Sequence, residues 1–280
     1  MNTMRDAMAP ESCPVCADES GVVLRYMVRD QFPAQLRQCH GCGFAWVMDP
    51  AWLESSFGAE QHNLDLGAVD RCSVVLDFVE VLVRREKIST GTFVDWGGGY
   101  GLMTRMARDR GLDFRNLDPY VKELFAGPAQ LKTMVSADLV VASEVFLHLL
   151  DPVASLAELI ASGRRVLVTA VVLNGVPDKD WWYLMPSTGQ HVAFFTLGSL
   201  REMARRTGST LVTDGRFFHV FSTEKMRFSS RAVVRWRSLA YSLAMLNHLR
   251  FVVLRALGRN PSRTPGDQQM MMQSDGGPRD

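Results

Sequence analysis

Four cysteines near the start of the chain have the spacing of a metal site. They form two Cys-x-x-Cys pairs, Cys13 with Cys16 and Cys39 with Cys42, and 22 residues separate the pairs. Two such pairs supply four thiolates, which suit the tetrahedral shell of zinc, whereas one pair alone would be weak support. Because four thiolates close that shell, the sequence predicts a structural rather than a catalytic zinc ion.

A second group of residues has the pattern of a ligand-binding turn. A short β-rich run ends at Asp95, and a helix-like segment begins at Leu102. The glycines between them are Gly97, Gly98, Gly99 and Gly101. Glycines let the chain turn tightly and let a ligand approach the main chain closely. A ligand is favoured over a bare turn, because ligands bind at the carboxyl ends of parallel strands in α/β sheets.

The flanking acids indicate which kind of ligand this is. The dinucleotide pattern G-x-G-x-x-G fails at Leu102, and no Gly-Lys-Ser/Thr follows, so a P-loop is excluded. A carboxylate at Asp95 would repel a pyrophosphate but attract the ammonium group of a methionine moiety. Asp118 ends the next short strand, 23 residues further on, where a carboxylate can accept both hydroxyl groups of a ribose.

These residues resemble the class I S-adenosylmethionine-dependent methyltransferases over roughly residues 70–222. The motif D-x-G-x-G-x-G of that family is matched from Asp95 to Gly101, and its following acid by Asp118. Residues 137–152 resemble the block around the fourth strand that lines the methionine end of S-adenosylmethionine. The cofactor-binding residues implied are Asp95, Gly97, Gly98, Gly99, Gly101, Asp118, Pro119, Ser143 and Glu144. An acid that would cap the adenine amine has no counterpart between Asp118 and Asp138.

The elements that position these residues alternate between strands and helices, which indicates an α/β fold with a mostly parallel sheet. Strands are predicted at 92–96, 114–117, 139–143, 165–170, 211–213 and 217–221, and helices at 74–87, 102–110, 152–160 and 197–207. The resemblance implies a Rossmann-like, seven-stranded sheet with the order 3-2-1-4-5-7-6.

The chain divides into four predicted regions joined in part by a linker at 49–69. A β-rich zinc module covers 10–48, the methyltransferase domain 70–224, a helical extension 225–258, and a polar, disordered tail 260–280. Cys72, alone on a predicted helix, is most simply a buried apolar residue.

Candidate catalytic groups follow the fourth strand and lie in a later aromatic block. Methyl transfer is an in-line displacement, and a general base helps when the acceptor is a hydroxyl group or an enolisable carbon. Glu144 and His148 are four residues apart, while Tyr183 and His191 lie in the block at 181–208, which could form a lid over the acceptor. A purely structural role is the alternative for each histidine.

The acceptor is suggested by the combination of modules. A zinc knuckle ahead of this core resembles the sugar C-methyltransferases and related enzymes of polysaccharide and natural-product pathways, which implies a sugar or glycan-like acceptor methylated at carbon or oxygen. An RNA methyltransferase is the alternative, against which stand the balanced charge of 31 basic and 30 acidic residues and the lack of an Asn-Pro-Pro-aromatic motif. A non-catalytic binding module is a third reading, which the intact glycine loop opposes.

The remaining signals concern location. The first residues lack an apolar signal segment, and no run of 18 uncharged apolar residues occurs, so a cytoplasmic protein is predicted. Residues 231–259 alternate apolar runs with six arginines. This pattern is interpreted as a helix that packs on the body, and the alternative is an interfacial membrane helix anchored by Trp236 and Tyr241.

Overall fold

The computed structural model describes residues 12–57, 67–257, 259 and 262–274 of the chain. The strands of the described residues are β1 (Ser20–Val28), β2 (Phe32–Cys39), β3 (Ala45–Val47), β4 (Thr92–Trp96), β5 (Asp113–Leu117), β6 (Leu139–Ser143), β7 (Arg165–Thr169), β8 (Ala193–Phe194), β9 (Thr210–Thr213) and β10 (Phe218–Ser222). The helices are α1 (Ala68–Glu86), α2 (Leu102–Asp109), α3 (Pro152–Ser162), α4 (Leu197–Arg206), α5 (Phe228–Arg235), α6 (Arg237–Ala256) and α7 (Thr264–Ser274).

In the described part of the chain, the central sheet contains six strands in the order β5-β4-β6-β7-β10-β9. The first four are parallel, and β10 runs antiparallel to both of its neighbours. Apolar parallel strands of this kind need packing partners on both faces of the sheet. A hydrophobic cluster packs on each face. Phe93 of β4 packs in a cluster with α1, whereas the next residue, Val94, faces a second cluster that includes Leu156 of α3.

The prediction of seven strands is wrong by one edge strand. Between β5 and β6 the chain forms only a 3-10 turn, Gly127–Ala129, and a single parallel bridge from Asn116 to Gln130. The segment is short, and Pro128 within the turn has no N–H group to give to a ladder. The sheet therefore ends at β5.

A second sheet joins the cysteine-bearing region to the rest of the chain. Its order is β1-β2-β3-β8, and β3 pairs with β8 across nearly 150 residues of sequence through Ala45 opposite Phe194 and Trp46 opposite Ala193. Phe44 and Phe195, beside this pairing, are fully buried with ring centroids 5.2 Å apart. The N-terminal region and the α/β domain thus share one hydrophobic core.

The C-terminal part is helical further than the sequence predicts. Helices α5 and α6 lie in the predicted helical extension, and α6 packs on α1. The prediction of a disordered tail is wrong for Thr264–Ser274, which form α7; residues 260, 261 and 275–280 lie outside the described residues. Asp267 explains the difference, because it is buried and ion-paired to Arg105 and Arg108 of α2.

Candidate active site

The loop from β4 to α2 is shaped by glycines at positions that other residues would not tolerate. Gly97, Gly99 and Gly101 have φ values of +71°, +53° and +82°, in the left-handed region that favours glycine. Gly98 is required for a different reason: a Cβ there would lie 2.5 Å from Cγ of Asp95. These four glycines therefore let the loop form a cradle of main-chain atoms.

Asp95 lies beneath this loop instead of projecting from it. Its side chain is buried, and Oδ2 accepts a hydrogen bond of 3.1 Å from the hydroxyl group of Thr104 in α2. Burial raises the pKa of Asp95 to about 7, the charge of Asp118 adds to the rise, and the Thr104 hydrogen bond opposes it. Near neutral pH the charge of this carboxyl group is therefore sensitive to any cation brought near it.

Asp118 connects the end of β5 to the glycine loop. Its Oδ2 accepts from the Gly99 N–H (3.0 Å), and its Oδ1 accepts from the N–H groups of Tyr120 (2.8 Å) and Val121 (3.1 Å). A carboxylate has about four lone-pair sites, so these three hydrogen bonds leave Oδ2 able to accept one more, from a ligand hydroxyl group. Pro119, also predicted to contact the cofactor, is exposed beside it.

Glu144 follows β6 in a left-handed conformation, with φ of +57°, which is unusual for a residue with a side chain. Its Oε1 accepts from the Thr169 hydroxyl group (3.1 Å), and its Oε2 accepts from the Tyr183 hydroxyl group (2.9 Å). Ser143, the residue before it, lies with its Oγ 3.4 Å from Oγ1 of Thr169. Two of the predicted catalytic residues, Glu144 and Tyr183, are thus directly hydrogen-bonded.

Tyr183 holds this part of the site together. Its ring is buried, and its hydroxyl oxygen accepts from the Val171 N–H at 2.9 Å while the hydroxyl donates to Glu144. Burial, together with the negative charge of Glu144, raises the pKa of Tyr183 well above its usual value. The hydroxyl group therefore stays protonated, as the hydrogen bond to the carboxylate requires.

The two candidate histidines lie side by side. The ring centroids of His148 and His191 are 5.6 Å apart, and the His191 ring meets the Tyr183 ring edge-on at 4.9 Å. Nδ1 of His191 is 2.7 Å from the carbonyl oxygen of Tyr183, which can only accept, so Nδ1 carries the proton and Nε2 carries the free lone pair. Burial lowers the pKa of His191 to about 4, and the ring is neutral at physiological pH.

Sequence reasoning missed two residues of this site. Thr169 bonds Glu144 from the end of the neighbouring strand β7, and a hydroxyl residue ending a parallel strand was the available signal. Phe57 lies in the predicted linker, yet its ring contacts His148 (5.5 Å) and stacks on Tyr120 (5.3 Å). Phe57 thereby joins the histidine pair to the loop that follows Asp118, and no sequence pattern indicated it.

The N-terminal region covers the aromatic block that carries Tyr183 and His191. Trp52 donates from its indole N–H to the carbonyl oxygen of Gly189 (2.9 Å), and the Gln190 side chain donates to the carbonyl oxygen of Ser56 (2.6 Å). Gly189 has φ of +71°, and a Cβ there would lie 2.8 Å from the Trp52 indole nitrogen. Residues of the N-terminal region therefore hold the aromatic block, which the sequence predicts as a lid, through these hydrogen bonds.

The four cysteines converge as the zinc prediction requires. Their sulfur atoms all lie within 4.8 Å of one another, with Cys13 to Cys42 at 3.6 Å and Cys16 to Cys39 at 3.3 Å. Zinc–sulfur bonds of about 2.3 Å in a tetrahedron place sulfur atoms about 3.8 Å apart, so the cluster fits zinc. The N–H groups of Val15 and Cys42 donate to cysteine sulfur atoms at 3.3 and 3.4 Å, which orients these ligands.

Comparison with known proteins identifies the family. The family model for the methyltransferase domain matches residues 70–214. No curated protein matches the chain. Among solved structures, the SAH-bound methyltransferase CalO1 of calicheamicin biosynthesis is 18% identical, with 62% of this chain and 60% of that chain covered and a TM-score of 0.42. The mitomycin 7-O-methyltransferase MmcR is 16% identical, with 58% and 57% covered and a TM-score of 0.44.

A third solved structure covers more of this chain. The 1,6-didemethyltoxoflavin-N1-methyltransferase of Burkholderia thailandensis is 16% identical, with 71% of this chain and 99% of that chain covered and a TM-score of 0.47. The chain thus spans about 60% of the length of CalO1 and MmcR.

Proposed function

Because the chain belongs to the methyltransferase domain family, we propose that it transfers a methyl group from S-adenosylmethionine to a small-molecule acceptor, a sugar or glycan-like compound, at carbon or oxygen. One observation carries the proposal. The glycine cradle with Asp118 lies beside a second cluster of hydrogen-bonding groups and aromatic rings, formed by Glu144, Tyr183, His148 and His191. Two contacts join them: a Cβ on Gly97 would lie 2.6 Å from the side chain of Val145, which follows Glu144, and the Phe57 ring contacts both Tyr120 and His148. The glycine cradle suits the cofactor, and the second cluster suits the compound that receives the methyl group.

The residues of the cradle fit S-adenosylmethionine. Asp118 would accept from a ribose hydroxyl group through Oδ2, the glycine loop would lie against the nucleoside, and Asp95 beneath the loop would favour the ammonium group electrostatically. Ser143 and Glu144 would lie at the methionine end. When bound, the cofactor supplies an electrophilic methyl group on a sulfonium centre, so the chain has to align the acceptor and exclude water.

The second cluster offers groups that can accept a hydrogen bond from a hydroxyl group of the methyl acceptor. His191 presents a neutral ring whose Nε2 lone pair can accept from a hydroxyl group, and His148 lies beside it. The Glu144 carboxylate is fixed by Thr169 and Tyr183. Aromatic rings beside a few placed acceptors suit a ligand with apolar faces and many hydroxyl groups, such as a sugar. Structural zinc at the four cysteines would hold in place the N-terminal region that covers the aromatic block.

The cofactor is tested by calorimetric titration of the zinc-loaded chain with S-adenosylhomocysteine. We expect Asp118→Asn to weaken binding at least about tenfold, because a charge-assisted contact to the ribose is lost. Asp138→Asn is the matched control: Asp138 also accepts a backbone N–H, from Thr92 at 3.1 Å, but it lies before β6, at the opposite end of that strand from the site. Absence of binding to the folded chain would contradict the proposal.

The acceptor class is tested separately by methyl transfer to nucleotide sugars and glycans, with RNA transcripts in the same screen. Turnover of a sugar acceptor that is lost in His191→Gln, with unchanged affinity for S-adenosylhomocysteine, would support the assignment of the second cluster. Transfer to RNA alone would replace the sugar proposal and leave the cofactor proposal intact.

A further inference from the structure

Helix α6 is apolar on the side that faces away from the protein. It packs on α1 through Ala240, Leu243 and Ala244, which belong to the same hydrophobic cluster as the buried face of α1. The side chains on its opposite face are 47% to 75% exposed: Met245, Leu246, Leu249, Val252 and Val253. Their positions recur with the period of one helix face. A helix that only packed on the body would carry polar residues there.

The charge around this helix is of one sign. Residues 225–266 contain nine lysines and arginines and no aspartate or glutamate, whereas the rest of the chain holds 22 basic and 30 acidic residues. Arg231, Arg235 and Arg250 are exposed. Two large aromatic side chains near the helix are also exposed, Phe228 and Trp236. An apolar face is thus set within a cationic segment, on a chain whose remaining part is acidic.

From this combination we propose that α6 docks on an anionic phospholipid surface, with the apolar face in the interface and the arginines at the headgroups. Interfacial helices combine an apolar face with a basic polar face, and aromatic side chains concentrate at that depth. Each arginine near an anionic surface strengthens binding about fivefold.

Two other occupants fit the surface less well. A second copy of the chain, placed on the same face, would bring one cationic segment against another, and like charges oppose that contact. A nucleic acid would pair with the arginines and leave the aliphatic face in water. No helix of the described residues is long and apolar enough to cross a membrane. The docking proposed here lies in the plane of the surface.

The test is co-sedimentation of the full chain with vesicles, which requires no methyl transfer and is therefore independent of the proposed function. We expect binding to phosphatidylcholine vesicles that contain phosphatidylglycerol, at least about tenfold weaker binding to phosphatidylcholine alone, and loss of binding at high salt. Leu249→Ser with Val253→Ser should reduce binding at least about tenfold. The control, Val69→Ser with Val176→Ser, also replaces two exposed aliphatic side chains and should bind as the wild type does.

Two results would overturn the proposal. The first is a folded chain, verified by circular dichroism, that does not bind anionic vesicles. The second is a dimer in sedimentation velocity that the Leu249→Ser, Val253→Ser variant converts to a monomer without any effect on vesicle binding. Arg235→Gln with Arg250→Gln separates the two contributions, since it should weaken binding to anionic vesicles and leave the weak binding to neutral vesicles unchanged.

Discussion

The Asp95 carboxyl group is the residue whose charge should respond most directly to the cofactor. Its pKa of about 7 means that it is partly protonated at neutral pH. The ammonium group of the ligand favours the ionised form, so binding below pH 7 must also remove a proton. We expect the affinity for S-adenosylhomocysteine to rise about tenfold from pH 6 to pH 8. Calorimetry in buffers of different ionisation enthalpy would show the released proton.

The sign of the effect on folding is opposite. Without ligand, the folded-state pKa of Asp95 is about 7, above its ordinary value of 3.8. Between these two pH values the carboxyl group therefore takes up a proton when the chain folds. This group therefore favours the fold at low pH, and its contribution falls as the pH rises through 7. Asp95→Asn should abolish both dependences. An affinity for S-adenosylhomocysteine that does not change with pH in the wild type would contradict the electrostatic role of Asp95.

Tyr183 is the residue that connects the second cluster, formed with Glu144, His148 and His191. In Tyr183→Phe, the Glu144 carboxylate loses a donor and the Val171 N–H loses an acceptor, both at 2.9 Å. We expect the free energy of unfolding to fall by about 1–3 kcal/mol, because buried groups lose their partners. Acceptor turnover should fall while the affinity for S-adenosylhomocysteine changes little. Tyr120→Phe, which removes a hydroxyl group from an exposed ring, is the control for thermal unfolding; equal melting temperatures of the two variants would contradict the prediction.

Among the elements, α7 has the clearest single attachment. Asp267 accepts from Arg108 Nε at 2.8 Å and from Arg105 Nη1 at 3.0 Å, and these arginines lower its pKa although burial opposes the shift. Asp267→Asn would leave the arginines short of an anion, and we expect a loss of about 3 kcal/mol in the free energy of unfolding. Chemical denaturation measures it, with Glu202→Gln as the control, since Glu202 pairs with an exposed arginine and should matter little.

The attachment of α7 also reaches the glycine loop, for which we propose cofactor binding. Helix α7 contacts the turn Gly127–Ala129, and a Cβ on Gly101 would lie 2.7 Å from the Ala126 side chain, which precedes that turn. Asp267→Asn should therefore weaken S-adenosylhomocysteine binding several-fold in addition to lowering stability. Unchanged affinity together with lowered stability would restrict α7 to a structural role.

The elements with local signals were predictable from the sequence, and those that depend on distant partners were not. The predicted bounds of β4 and β6 are confirmed, because buried parallel strands read as short apolar runs between turn residues, and the N-cap at Asp151 accepts the Ala154 N–H as expected. Strand β8 has two residues and forms only against β3. Helix α7 was missed because its attachment depends on an ion pair to α2.

The residues of the site also divide into those that the sequence predicts and those that it does not. The sequence predicts the glycine loop and Asp118, whose geometry is set within one βαβ unit. The methyltransferase domain that it predicts is the family whose model matches residues 70–214. Thr169 contacts Glu144 and Phe57 contacts His148 from elements that the motif does not include. Their contribution is a matter of tertiary packing, which single-sequence patterns do not report.

For the whole molecule, the four-cysteine region and the α/β domain are joined next to the segment that carries His191. The hydroxyl group of Thr196, which caps α4, donates to the Cys42 carbonyl oxygen at 2.6 Å, and Arg206 of α4 donates to the Val15 carbonyl oxygen at 2.7 Å. Strand β8, which pairs with β3, follows His191 by two residues. Loss of the proposed metal should therefore loosen the segment that carries His191, while the glycine loop between β4 and α2 is not part of this contact.

The expected outcome of metal removal has two parts. Chelation, or Cys39→Ser, should lower the melting temperature by on the order of 10 °C, since structural zinc contributes folding free energy directly. It should also reduce acceptor turnover by a larger factor than it reduces the affinity for S-adenosylhomocysteine. Cys72→Ser is the matched control, because Cys72 lies on α1, outside the cluster. A melting temperature unaffected by the chelator would contradict the zinc assignment, and an equal loss of both functions would show that the module supports the cofactor side as well.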